Sequence, residues 1–289
     1  MDQAESLRRW VIEMAPAHDA TVKQGAVVLV AAATSGVGAT TVARQLALTW
    51  ARRQQLTAWI DASRRSDVDA DKAIGDATSD CRSERGKLAD VLEQRRTLRE
   101  AWTTGPCGVA VLGARARGEA EAGTRCERFD ADHPFVEQLA QAARQYRIVI
   151  QLTDLREIMA VLPVVDHCVF VSQEQDDSLK EIYRLIKQTS HQLRGGQCWS
   201  VLNQVTDPAL ARQSHRRLMA TCDRHLNLAV HAAGTLPWDA SLGRHGTDAA
   251  AWTLGLESSG FRFAFERFTA QLESAFATSL RGALKEIAV

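Results

Sequence analysis

From residue 26 onward, short apolar runs rich in β-branched residues alternate with longer stretches of helical periodicity, and few architectures accommodate that alternation. The runs are 27–32 (VVLVAA), 56–61 (LTAWID), 108–113 (GVAVLG), 147–152 (RIVIQL), 167–172 (HCVFVS), 199–205 (WSVLNQV) and 229–236 (AVHAAGTL). Their nearly continuous apolar character predicts strands buried on both faces, as in a parallel sheet. Between them, Val42, Leu46, Thr49 and Trp50 share one face of a helix over 41–53, and Leu179, Ile182, Tyr183 and Ile186 share one face over 177–192. The expectation is an α/β fold: a doubly wound, mostly parallel seven-stranded sheet with helices on both faces.

A chain of 289 residues can bury a substantial core. Lys plus Arg and Asp plus Glu both number 35, so no net field draws the whole molecule to nucleic acid or to an acidic membrane. The basic stretch 212–217 (RQSHRR) and the arginines of 113–128 lack aromatic partners for base stacking and read as a solvated helix face and a surface loop. Cys81, Cys107, Cys126, Cys168, Cys198 and Cys222 form no CxxC pair and lie at no metal-ligand spacing, so they read as reduced thiols of a cytoplasmic protein. The histidines are isolated from any evident nucleophile. The longest apolar run, 26–33, is too short to span a bilayer, leaving a soluble or at most peripheral protein.

Both ends read differently from the middle. Asp2 to Met14 has the pattern of an amphipathic helix, with Asp2 as N-cap and Leu7, Trp10, Val11 and Met14 on one face, and Pro16 ends it. The expected division is a separate N-terminal helix and linker over 1–24, the α/β domain over 25–278 and a tail over 279–289. Phe261, Phe265, Phe268, Leu272 and Phe276 recur at helical spacing, predicting a final helix packed on the sheet over 261–276. The tail itself is open to a weak membrane role.

The first strand ends in ATSGVGATT, 33–41, and a helix is expected to open at Thr40. A strand, a glycine-rich turn and a helix N-terminus together form a phosphate cradle of backbone N–H groups. In a working loop of this kind a lysine precedes the hydroxyl residue and reaches the β and γ phosphates, and the hydroxyl holds magnesium. Here Ala39 stands in the lysine position. Losing such a charged hydrogen bond costs roughly 1.5–3 kcal/mol, or about 10- to 100-fold in affinity.

These elements resemble, in order, the MinD/ParA-like P-loop ATPases. The resemblance rests on GVGATT, IDAS at 60–63, KLADVL at 87–92, SLKEIYRLIK at 178–187, VLNQV at 201–205 and GTLPWDASLGR at 234–244. Within that superfamily the chain looks most like the flagellar-number regulators called FlhG or FleN. Asp2, Gln3, Ala4, Leu7 and Arg8 match the DQAxxLR element by which such proteins engage and stimulate the GTPase FlhF. The resemblance implies a nucleotide site formed by Gly36, Val37, Gly38, Ala39, Thr40, Thr41, Asp61, Asn203 and Pro237, with Thr40 on the metal and Asn203 reading the adenine edge.

It also exposes departures. The family loop GKGGVGKTT carries two lysines, and Thr34 and Ala39 replace them; Ser63 replaces the second of two acids, and Gln151 replaces an aspartate of the magnesium shell. The implied protein is a cytoplasmic regulator, peripheral at the inner membrane or cell pole at most. It binds ATP and magnesium weakly, has lost hydrolysis, and is monomeric for want of ATP-driven dimerisation. FlhF is its implied partner, with flagellar switch-complex proteins or a flagellar transcription regulator as further ones. Two alternatives stay open: an active ATPase drawing substitute charge from Asp154, Asp61, Arg64 or Arg65, and a pseudo-ATPase adaptor of another polar assembly system.

Overall fold

The protein was described from a computed structural model covering residues 25–62, 87–113, 129–193, 197–239 and 259–287, with the side chains of the last segment described over 260–276. Asp2, Gln3, Ala4, Leu7 and Arg8, and Arg64 and Arg65, lie outside the described residues.

In chain order the elements are β1 (Ala26–Ala31), α1 (Ala39–Arg52), β2 (Thr57–Asp61), α2 (Leu88–Leu92), α3 (Leu98–Ala101), β3 (Thr103–Thr104) and β4 (Ala110–Leu112). Then follow α4 (Pro134–Ala142), β5 (Arg147–Leu152), α5 (Leu155–Val161), β6 (His167–Ser172), α6 (Asp176–Thr189), β7 (Gln197–Val205), α7 (Pro208–Leu226), β8 (Val230–Pro237) and α8 (Ser259–Ile287). The strands form one sheet in the order β3-β4-β2-β5-β1-β6-β7-β8, parallel throughout except that β3 runs antiparallel to β4. The fold class is as expected, with eight strands instead of seven. The extra strand, β3, is only two residues long and falls between Trp102 and Gly105-Pro106, too short to show any periodicity.

Alternate side chains of each central strand feed two cores. Val27, Leu29 and Ala31 pack with α2 to α7 on one face, while Val28 and Val30 pack with α1 and α8 on the other. All six residues of β1, β6 and all but Arg147 of β5 are buried, which is why those runs read as apolar rather than alternating. Helix α1 begins at Ala39, one residue before the predicted Thr40, and every residue from Val42 to Trp50 is buried. Helix α6 ends at Thr189 rather than at 192, where the Thr189 hydroxyl turns back onto Leu185 O. The predicted strand 108–113 shortens to β4 because Pro106–Gly108 forms a 3-10 turn with Cys107 at φ 57°.

The final helix does pack on the sheet: Phe261, Phe265, Phe268, Leu272 and Phe276 are all buried in the α1 face. Burying a phenylalanine contributes about 1.5–3 kcal/mol, so this stripe is a major part of that core. Glu273 pairs with Arg53 and with Arg147, and the Arg147 guanidinium lies 5.3 Å from the Trp50 ring and 5.2 Å from that of Phe276. The helix runs without a break past 279, the expected start of the tail. No helix among the described residues is long and apolar enough to cross a membrane.

Cys168 and Cys198 are register partners on β6 and β7, and both are buried and free, as is Cys222 of α7. Burial pushes the Cys198 thiol up to about 12 and Cys222 to about 11, so these are packing residues and poor nucleophiles.

Candidate functional site

The loop Ala33–Gly38 leaves the C-terminal end of β1, with β5 on one side of that strand and β6 on the other. In open α/β sheets ligands are taken at the carboxyl ends of strands where the chain connections part in this way. Gly36 and Gly38 hold φ of 82° and 85°, in the left-handed region that side chains disfavour. At Gly38 the demand is double, because an added Cβ would lie 2.2 Å from Asn203 Nδ2. Gly38 is also the N-cap of α1 and has no side chain to cap it, and the first turn carries no acid. The first N–H groups of the helix are thus left without a side-chain acceptor, the condition for receiving an anion.

Among the described residues, the side chains that hydrogen-bond the loop are neutral. Asn203 of β7, 4% exposed, donates Nδ2 to Val37 O at 2.9 Å. The next residue, Gln204, donates Nε2 to Gly36 O at 2.9 Å, and its Oε1 accepts from Gln173 just after β6. Gln151 of β5 donates Nε2 to Thr40 Oγ1 at 2.7 Å. Gln151 stands in register beside Asp61 of β2, and both are buried. Three carboxamides, from β5 and β7, thus brace two loop carbonyls and the Thr40 hydroxyl, and a fourth, Gln173, holds Gln204 in place. A neutral hydrogen bond contributes about 1 kcal/mol, enough in sum to hold the loop but with no charge to offer a phosphate.

The charged residues nearby have structural tasks. Arg44, one turn beyond Thr40, is 3% exposed, and burial lowers its pKa to about 10, so it stays cationic at neutral pH within the helix packing. Asp154, a candidate stand-in carboxylate, caps α5 by accepting from Arg156 N at 2.9 Å. Glu174 accepts from Thr206 Oγ1 at 2.7 Å and from the backbone of Thr206 and Asp207, fixing the turn into α7. Pro237 ends β8, and Trp238 N closes the strand ends by donating to Val205 O at 3.0 Å.

The structure therefore brings together the sequence-predicted Gly36, Val37, Gly38, Ala39, Thr40, Asp61 and Asn203, with Thr41 in the first turn of α1. Asn203 is committed to a loop carbonyl through its amide nitrogen. Gln173 and Gln204 escaped the sequence reading. The signal present was an amide directly after β6, in VSQEQ, and one at the end of β7, in LNQV.

No protein-family model and no curated protein matches the sequence. Solved structures do match the fold. MinD from Aquifex aeolicus superposes with a TM-score of 0.64 at 15% identity, covering 86% of this chain and 97% of that one. MinD from Pyrococcus horikoshii, solved with Mg-ADP, gives 0.64 at 15% identity over 89% of this chain and 99% of that one. A ParA-family ATPase from Chlorobium tepidum gives 0.63 at 14% identity over 86% and 98%. The fold is that of the MinD/ParA P-loop ATPases.

Proposed function

We propose that this chain is a MinD-folded regulator that acts by holding a partner and does not turn over ATP. The observation carrying the reading is the loop itself: its turn geometry is intact, Ala39 and Thr34 stand where the resemblance expects lysines, and uncharged amides occupy its polar contacts. Phosphoryl transfer depends on positive charge that stabilises its transition state, and nothing in this set supplies it. Backbone N–H groups at α1 remain able to take a phosphate weakly, with Thr41 and Pro237 as further members of the site in this reading.

The partner in this reading is FlhF, as in the FlhG or FleN regulators that the chain resembles, and Asp2, Gln3, Ala4, Leu7 and Arg8 form the contact. Switch-complex proteins or a flagellar transcription regulator fit the same role as further partners. The test is the GTPase rate of FlhF with the full chain added. Stimulation is expected, and deleting residues 1–14 or changing Gln3 and Leu7 to alanine should return the rate to that of FlhF alone. An unchanged rate on adding the intact chain would refute the assignment.

A further inference from the structure

Magnesium accompanies the nucleotide in the MinD of Pyrococcus horikoshii, so its fit to the loop of this chain is a structural question. Mg²⁺ requires oxygen donors at about 2.0–2.1 Å in near-octahedral order. The donor available on the loop, Thr40 Oγ1, already accepts the Gln151 Nε2–H at 2.7 Å. That places an N–H where a cation would approach, and whichever way round the carboxamide lies, one of its ends engages the hydroxyl. Among the described residues no group of three His, Cys, Asp or Glu side chains is placed to hold a metal. The buried Gln151 Oε1 has no protein partner and Asp61 stands in register beside it, but a carboxamide whose N–H points at Thr40 is a poorer donor than a carboxylate there, so the residues present fit the ion badly.

We infer that the Gln151 carboxamide takes the place of the divalent cation. It ties the first turn of α1 to the centre of the sheet through Thr40. A phosphate-bearing molecule taken by this loop is then held by backbone N–H groups and needs no metal. This rests on reading the loop as a degenerate nucleotide site. It is independent of the FlhF assignment, which the GTPase assay tests by itself.

The probe is Mn²⁺ alone, followed by its electron paramagnetic resonance signal in the presence of purified full-length protein. The wild type should leave the signal of the free hydrated ion undiminished, and the melting temperature should not respond to Mn²⁺ or Mg²⁺. Gln151→Asp installs a carboxylate beside the buried Asp61 and Thr40. That variant should melt lower in EDTA, recover several degrees on adding Mn²⁺ by binding linkage, and deplete the free-ion signal. Manganese bound by the wild type and lost in Thr40→Val would overturn the inference. So would a folded Gln151→Asp protein with no cation response. Should Gln151→Asp fail to fold, the wild-type signal and its Thr40→Val control decide the matter.

Discussion

Gly38→Ala is expected to lower the stability of the protein by about 3 kcal/mol, whereas Gly36→Ala should cost about 1 kcal/mol. Both glycines have positive φ, which penalises any side chain by roughly 1–2 kcal/mol. They differ in surroundings: nothing lies within 4 Å of a Cβ placed at Gly36, but one at Gly38 would meet Asn203 Nδ2 at 2.2 Å. Asn203 is buried and cannot swing away without abandoning its bond to Val37 O and leaving polar atoms unpaired, at about 1–3 kcal/mol. Thermal melts should show the Gly38 variant several degrees below the Gly36 variant. Adding Asn203→Ala to Gly38→Ala should return part of the loss, because the two sites are in contact. Equal losses at the two glycines would mean that the Asn203 brace is not made.

Acid should destabilise the fold through His215. This side chain is 6% exposed on α7, it hydrogen-bonds the backbone of Ser200 in β7, and its Nε2 has no protein partner. Burial pushes its pKa down to about 4 from the usual 6.5. The unfolded chain therefore takes up a proton below pH 6.5 that the folded chain refuses until about pH 4. Stability is fully present above 6.5 and is lost as pH falls through that window, by up to about 3 kcal/mol. Denaturant titrations from pH 7 to 4 should show the slope, and His215→Gln should flatten it. A variant with an unaltered slope would place the acid sensitivity elsewhere.

The layout of the sheet could be read in the sequence because its central strands are buried on both faces, so that β1, β5 and β6 stand out as continuous apolar runs. The short edge was not legible. Thr103–Thr104 is recruited by pairing with β4, a tertiary effect that a two-residue window cannot register. The departures at Ala39, Thr34 and Gln151, and the loss of charge they imply, were visible against the resembled pattern, but the contacts that Gln151 makes were not. Only the register of β2 against β5 puts Gln151 beside Asp61, and only the geometry of α1 brings Thr40 within bonding distance of it. Likewise, the role of Gln173 and Gln204 depends on β6 and β7 being neighbours whose ends meet at one turn. Asn203 illustrates the difference between position and role. Its place beside the loop followed from the resemblance, whereas its bond to Val37 O comes from the short approach that Gly38 permits.

Under the proposed function, a loop braced by carboxamides and lacking both lysines does not run a nucleotide cycle. Phosphate release from ATP with Mg²⁺, measured on the full chain alongside its sedimentation with and without ATP, tests this most directly. The expected result is release at the rate of the buffer alone and the same sedimentation in both conditions. Sustained release that disappears in Thr40→Ala, or a dimer that forms only with ATP, would contradict it.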